Sequence, residues 1–242
     1  MTDTQPYFRR DLAQVHAWGF GALADQCAAG ILELLGPVRG GLVLELGCGA
    51  GRLTAHLVAA GHRVLATDAS PPMVELAARA VPAAEVRRLA LPDDPVPAAA
   101  AVVSVGHMLN YLADAAAVER ALVAMAAALR PGGVLAIDLC DLSLADRRRD
   151  APPSARVNAD WAIISRTLVP APDQLVRQVT TFLRDPDGRW RRADERHDNV
   201  LLDPAPLVDV LTRQGLTVEV RPSFGADDLP AGMVALIGRR PG

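Results

Sequence analysis

The sharpest chemical signal in the sequence is Val43-Leu44-Glu45-Leu46-Gly47-Cys48-Gly49-Ala50-Gly51. An aliphatic run enters three glycines at alternate positions and passes at once into a segment with helical character. Glycine accepts positive φ and lets a ligand lie against bare backbone. The first turn of the helix that follows offers unpaired amides to an electronegative group. Seventeen residues after Gly51, a second aliphatic run ends in Asp68. A carboxylate there can accept two hydrogen bonds from a ribose diol. Together the two features suit a nucleoside-containing cofactor lying over the ends of adjacent strands.

Two cofactor classes compete for such a turn. A dinucleotide fingerprint is spaced G-x-G-x-x-G, whereas Gly47, Gly49 and Gly51 are spaced G-x-G-x-G and Arg52 follows. Glu45 stands two residues before the first glycine. An anionic Glu is a poor neighbour for a pyrophosphate and a good one for the ammonium of an amino-acid tail. The electrostatics favour S-adenosylmethionine over NAD.

On these residues the sequence resembles the class I S-adenosylmethionine-dependent methyltransferases. Glu45 to Gly51 is similar to that family's first motif, and Asp68-Ala69-Ser70-Pro71-Pro72-Met73 to its D-x-S-x-x-M continuation. Leu129-Arg130-Pro131-Gly132-Gly133 resembles the L-x-P-G-G turn before the fifth strand. The resemblance covers roughly Gly41 to Leu139. It implies a doubly wound, Rossmann-like α/β fold with a seven-stranded sheet whose last strand is antiparallel. It implies that Asp68 binds the ribose, that Ala69 and Met73 lie near the adenosine, and that Gly47, Cys48, Gly49 and Gly51 hold the methionine part. The sequence departs from the family after the third strand. No acid that could meet the adenine amine appears before Asp93 and Asp94, which leaves backbone groups at Ala90 and Leu91 to serve. Ala98 to Ala101, before the fourth strand, are all alanine.

The fourth strand ends at Val105-Gly106-His107-Met108-Leu109-Asn110-Tyr111; this loop should border the methyl sulfonium, with Val105 against the cofactor and the acceptor beside it. Methyl transfer is an in-line displacement, so the protein mainly aligns the nucleophile and takes its proton. His107 is a candidate base, because an unperturbed imidazole titrates near neutrality; the alternative is a loop histidine that shapes the pocket. Gly106-His107-Met108 also resembles the matching segment of the amino-sugar N-methyltransferases of macrolide pathways, which implies that His107 sits by the accepting amine. His16, with Tyr7, is a second candidate, on an N-terminal segment that either closes over the ligand or packs as a helix. His56 and His62 read as structural. His197 faces either a pocket or solvent. Asp138 and Asp141 either touch substrate or cap a turn. Five histidines without spaced partners make no metal site.

The elements that must position these groups follow from periodicity. Tyr7 to Leu35 has apolar residues at spacings of three and four and is stopped by Gly36-Pro37. Strands are expected at 42–46, 63–67, 85–88, 101–105 and 134–139. Helices at 52–60, 71–80 (capped by Ser70) and 114–129 alternate with them, which implies a parallel sheet covered on both faces. Asp160 to Val169, Gln174 to Leu183 and Arg189 to Asn199 alternate with period two between turn signals, and read as an inserted antiparallel three-stranded meander. A helix at 204–214 and strands at 216–220 and 233–238 close the pattern. The domains expected are a helical lid at 1–40, a cofactor-binding domain at 41–145 and 203–242, and the inserted sheet at 146–202. The inserted sheet either roofs the acceptor or makes a homodimer. Asp146 to Asp150 reads as a solvated charge run. Arg166, Arg177, Arg184, Arg191, Arg192 and Arg196 make one face of the insert a solvated surface or the wall of a site for an anionic acceptor.

Composition narrows the class. The chain has 242 residues, half of them hydrophobic and only 4% aromatic, so the core is aliphatic. The net charge of -3 argues against a nucleic-acid or anionic-membrane binder. All 25 cations are Arg, and with the abundance of Ala this is the bias of a GC-rich genome. Cys27, Cys48 and Cys140 form no pair and imply free thiols in a reducing cytoplasm. Neither a spanning segment nor an apolar leader is legible. The expected function is methyl transfer from S-adenosylmethionine to nitrogen or oxygen of a small molecule, in secondary metabolism by association with such genomes. The alternative is a cyclase or binding protein that keeps the cofactor without transferring methyl.

Overall fold

The computed structural model describes residues 7–38 and 40–242; the rest of the expected lid, at 1–6 and 39, lies outside the described residues. The single N-terminal helix expected from 7 to 35 is instead a pair, α1 (Arg10–Gly19) and α2 (Ala22–Leu34). The break falls at Phe20-Gly21. Gly19 is needed there because a Cβ on it would stand 2.8 Å from the indole of Trp161.

The alternating part then runs β1 (Leu42–Leu46), α3 (Arg52–Ala59), β2 (Arg63–Asp68), α4 (Pro71–Ala80), β3 (Glu85–Arg88), β4 (Ala99–Ser104), α5 (Ala115–Ala128) and β5 (Leu129–Cys140). Ser70 and Asp114 cap α4 and α5 through their side chains, as their types demand. After β5 come α6 (Ser143–Arg148), β6 (Ser154–Val157), β7 (Trp161–Ala171), β8 (Gln174–Arg184), β9 (Trp190–Val200), α7 (Pro204–Arg213), β10 (Thr217–Arg221) and β11 (Met233–Arg239).

The main sheet has seven strands in the order β10-β11-β5-β4-β1-β2-β3. The last strand, β11, is antiparallel to both its neighbours, while β5, β4, β1, β2 and β3 run parallel. Period two divides the strand residues between two cores. Leu44, Val102, Leu135, Ile137 and Leu236 face α5 and α7; Val43, Ala101, Val103, Ala136 and Ile237 face α2 and α3. Burial on both faces is why these strands read as unbroken aliphatic runs. Parallel strands also put the loops after β1, β2 and β4 at one edge of the sheet, where the chemistry-bearing residues lie.

The insert forms a second antiparallel sheet, β6-β7-β8-β9. It has four strands rather than the expected three. The extra strand, β6, follows Pro152-Pro153, is exposed throughout and pairs with only residues 162–165 of β7, so its pattern carries no burial signal. The sheet leans on α1 through Trp161, Ile163, Val179 and Leu183 against Leu12 and Val15. A two-pronged Arg191–Asp11 pair, at 2.8 and 2.9 Å, adds to this contact. Among the described residues, no helix is long and apolar enough to cross a membrane.

A close backbone approach joins α2 to the loop before β11. A Cβ on Gly30 would lie 2.6 Å from the backbone of Phe224 and Gly225. Gly30→Ala should therefore force the two segments apart and cost about 1–3 kcal/mol. Denaturant unfolding measures this, and a variant as stable as the parent would show that the approach is not close.

Candidate active site

The turn after β1 is built around positive φ: +68° at Gly47 and +55° at Gly49. Nothing lies within 4 Å of where a Cβ on Gly49 would stand, so the backbone faces open space there. Asp68, at the end of β2, ties this turn down. One carboxylate oxygen accepts the Gly49 N–H at 2.9 Å and the other accepts the Ser70 N–H at 2.8 Å. Each oxygen keeps a second lone pair for a hydroxyl. Burial raises the Asp68 carboxyl above its ordinary range, and the backbone amides pull it back.

Asp68, Ala69, Met73, Leu89, Leu91 and Val105 line one cavity of about 290 Å³, close to the lower bound for small-molecule sites. Its walls are mostly apolar with one carboxylate, which fits a nucleoside. Ala90 is not in that lining, and its N–H donates instead to Asp94 at 2.7 Å. Asp94 folds back to satisfy that amide, while Leu91 of the pair lines the cavity.

A second cavity of about 810 Å³ adjoins the first. Gly47, Gly49, Val105, Gly106, His16 and Tyr111 line both. Its floor includes Glu45, Cys48 and Gly51. Glu45 is 2% exposed, its partner is the Thr54 hydroxyl at 2.6 Å, and burial pushes its carboxyl up to about 8. The expected anionic partner for an ammonium is thus protonated at neutral pH; a cation brought against it would draw the proton off. Cys48 is buried and burial raises its thiol, as it raises Cys27 and Cys140 to about 12. All three are free, buried thiols.

A third cavity, of about 250 Å³, continues from the second past Phe20, His107, Ile163 and Arg177. It lies between the main sheet and the insert, and Arg148, Arg156 and Arg177 line it. The charge run at 146–150 is thus only partly a solvated surface. Among the described residues none of these three arginines is in an ion pair; Arg156 donates to the Gly19 carbonyl at 2.7 Å and lies over the Phe20 ring.

His107 stands where the second and third cavities meet. Its backbone is left-handed, with φ +53°. The Asp138 carboxylate holds it there by accepting the His107 N–H at 2.8 Å and the Gly106 N–H at 2.9 Å. Of the two roles open to Asp138, the structure selects the cap; Asp141 likewise caps, accepting the Ser143 N–H. Nδ1 of His107 faces the Gly106 carbonyl oxygen, so it carries the proton and Nε2 is left as an acceptor. Burial lowers this imidazole to about 4, with Arg177 and His16 adding to the effect. His16 is likewise lowered to about 4. It stacks on Phe20 and lines the first two cavities, so it is a wall of the site as well as part of α1. His56 bonds Asp25, which also takes Arg52.

Of the two alternatives open to His197, the structure has the pocket rather than solvent. It is completely buried and lines the second cavity, with Nε2 2.9 Å from Glu195. The signal was there in the period-two alternation of β9, but alternation alone does not say which face is covered. The N-terminal segment arches across the same region. The Ser70 hydroxyl donates to the Phe8 carbonyl at 2.8 Å, and the Arg9 N–H donates to Glu195 at 2.9 Å. Among the described residues, no group of three or more His, Cys, Asp or Glu could hold a metal ion.

These shifts set the pH dependence of stability. Glu45, ordinarily at 4.5, is raised to about 8, and Asp138, ordinarily at 3.8, to about 6. Both stabilise the fold fully below their unfolded values, and that contribution is lost as pH rises to the folded ones. His16 and His107 act oppositely between about 4 and 6.5. Above 6.5 only Glu45 still changes before about 8, so stability should fall there by at most about 1.4 kcal/mol per pH unit. Thermal unfolding of the protein without added ligand tests this. Glu45→Gln should flatten the decline; parallel curves for both proteins would mean that Glu45 does not hold the proton.

Residues 43–133 match the family model described as "Methyltransferase domain". Over 69 residues the chain is 42% identical to a ribosomal RNA small subunit methyltransferase A of Anaeromyxobacter sp. (strain K). That match takes in 28% of this chain and 24% of the other, so the chain spans about a quarter of the length of the curated relatives it matches. Among solved structures, an S-adenosylmethionine-dependent methyltransferase from Clostridium acetobutylicum has a TM-score of 0.78 at 16% identity, covering 95% of this chain and 98% of that one. A sugar N-methyltransferase from Streptoalloteichus sp has a TM-score of 0.78 at 23% identity, covering 100% and 98%. At these identities the structural likeness is one of fold. Residues 43–133 thus match a methyltransferase domain, and the whole chain has the fold that these S-adenosylmethionine-dependent methyltransferases share.

Proposed function

We propose that the protein transfers a methyl group from S-adenosylmethionine to an amine nitrogen of a small acceptor that carries an anionic group. The observation that supports this most is the line of three joined cavities. The first suits a nucleoside, the second has a buried carboxyl for an ammonium, and the third is lined by three arginines. The cofactor, when bound, supplies an electrophilic methyl on a cationic sulfur. Asp68 would hold the ribose hydroxyls, Met73, Leu89 and Leu91 the base, and the open backbone at Gly49 with Glu45 the amino-acid part. In this reading residues 10–34 are the lid and the inserted sheet is the roof over the acceptor.

Nitrogen is favoured over oxygen by the basicity of the loop. An alcohol must lose a proton to become a useful nucleophile, and an imidazole lowered to about 4 is a poor base for that. A neutral amine already has its lone pair. Nε2 of His107 can accept one amine N–H and so turn the lone pair toward the methyl. His107 then orients rather than stores the proton. Arg148, Arg156 and Arg177 would hold the anionic part of the acceptor, with Arg able to fork onto a phosphate or carboxylate.

Calorimetry with S-adenosylhomocysteine tests the cofactor assignment. Asp68→Ala should weaken binding by about tenfold or more, while uptake of NAD in place of S-adenosylhomocysteine would overturn the reading. Turnover is tested with a panel of phosphorylated or nucleotide-linked amino sugars and labelled methyl donor. Transfer of label to nitrogen supports methyl transfer, and absence of S-adenosylhomocysteine formation across amine and alcohol acceptors points to the non-transferring alternative. His107→Ala should slow turnover about tenfold or more without loss of cofactor affinity; full turnover would remove its orienting role.

A further inference from the structure

The geometry points to a proton relay on β9: Glu195 and His197 set Tyr111 as the group that takes the proton of the acceptor nitrogen at the junction of the first two cavities. This rests on the methyl-transfer reading.

Three polar residues in succession on the inward face of β9 are buried: Glu195 at 8% exposure, His197 at 0% and Asn199 at 6%. Their outward neighbours Asp194, Arg196 and Asp198 are exposed. A sheet that merely covered the site would put apolar side chains inward, because buried polar groups cost free energy unless bonded. Here they are bonded in a directed chain. One oxygen of Glu195 accepts the Arg9 N–H, and the other faces Nε2 of His197 at 2.9 Å. A carboxylate requires a donor, so Nε2 carries the hydrogen and Nδ1 is a lone pair. The polar atom facing Nδ1 is the Tyr111 hydroxyl, 3.4 Å away. Nδ1 can only accept from it, so the phenol hydrogen turns toward His197, and the phenol oxygen, which Arg177 and Asn199 also approach, borders the cavities. Tyr111 lines both the nucleoside-sized cavity and the larger one. The long Tyr111–His197 approach has room to tighten when ligands fill the cavities.

The relay balances. The lone pair of the acceptor nitrogen forms the new C–N bond, and the pair of the breaking C–S bond stays on sulfur. The nitrogen's proton passes to the Tyr111 oxygen, and the phenol's own proton passes to Nδ1 of His197. The resulting imidazolium is paired with the Glu195 carboxylate. His107 has no such partner, since its Nδ1 proton faces a backbone carbonyl. The other charged or titratable groups facing His197 are Arg177, opposite it on β8, Tyr7 of the N-terminal segment and His16 of α1. Tyr111 is the group that touches the acceptor; His197 and Glu195 are positioning residues acting through it.

The test needs no identified acceptor. Sinefungin carries an ammonium on carbon where S-adenosylmethionine carries its methyl on sulfur, so it places a nitrogen at the transfer point. The wild-type protein should prefer sinefungin to S-adenosylhomocysteine, and the preference should strengthen as pH rises from acid to neutral. Tyr111→Phe, His197→Gln and Glu195→Gln should each cut that preference about tenfold and flatten its pH dependence, with affinity for S-adenosylhomocysteine unchanged. Tyr111→Phe removes one oxygen only, so it stands as the test if either strand variant unfolds. A preference unchanged in Tyr111→Phe overturns the relay, and so does equal weakening of both ligands, the mark of a merely structural role. Failure of the wild-type protein to bind S-adenosylhomocysteine overturns the methyl-transfer reading and the relay with it.

Discussion

Two buried carboxylates, each at the end of one strand and each bonded to backbone amides of the loop from the neighbouring strand, hold the site together. Asp68 ends β2 and binds Gly49 of the turn after β1; Asp138, near the end of β5, binds Gly106 and His107 of the loop after β4. Charge-assisted bonds of this kind are about twice as strong as neutral ones. They are needed because the loops they restrain adopt left-handed backbone at Gly47, Gly49 and His107. The parallel sheet brings each acid beside the correct loop, since β2 pairs with β1 and β5 with β4. The fold's contribution to chemistry is therefore specific: it places an acid one strand away from each loop that must be bent.

The electrostatic consequence is that burial favours the neutral forms of Glu45, His16 and His107, beside the two carboxylates that cap the loops. Burial raises Glu45 and Asp138 and lowers His16 and His107. Charge is concentrated instead in the cavity under the insert, at Arg148, Arg156 and Arg177. Such a division sorts two ligands by their sign. A cation meets a carboxyl able to give up a proton, and an anion meets guanidinium groups that face no described carboxylate. The loop between them, at Gly106 and His107, lies where the two kinds of cavity meet.

How much of this was legible in the sequence follows from which signals are local. The glycine turn, the Ser70 cap and the acid closing β2 are fixed by backbone chemistry within a few residues, and the structure has them where their types demand. The seven-stranded sheet and its reversed last strand came from resemblance, and the strand order was not legible, because strand neighbourhood is a long-range property. Asp138 could be narrowed only to a cap or a substrate contact, since the choice depends on a loop 31 residues earlier in the chain. At Ala90, Asp94 returns to the amide, a turn that composition does not show. The fourth strand of the insert escaped because an exposed edge strand has no burial pattern to read.

His197 shows the same limit at the site itself. Along β9, charged and polar residues occupy both faces, so period two identifies a strand without identifying its buried side. What decides the matter is the N-terminal segment, distant in sequence, which covers one face. Its Phe8 carbonyl is held by Ser70 in the loop that follows β2, and its Arg9 amide by Glu195. The segment thus bridges the cofactor-side loop and the inserted sheet through two adjacent residues. Lifting it would remove the Arg9 N–H donor from Glu195 and expose His197 to water, so opening of the cover and loss of the buried acid–imidazole pair are one event. A cover coupled in this way completes the proton-accepting group only when it is closed, which confines the chemistry to the state from which water is excluded.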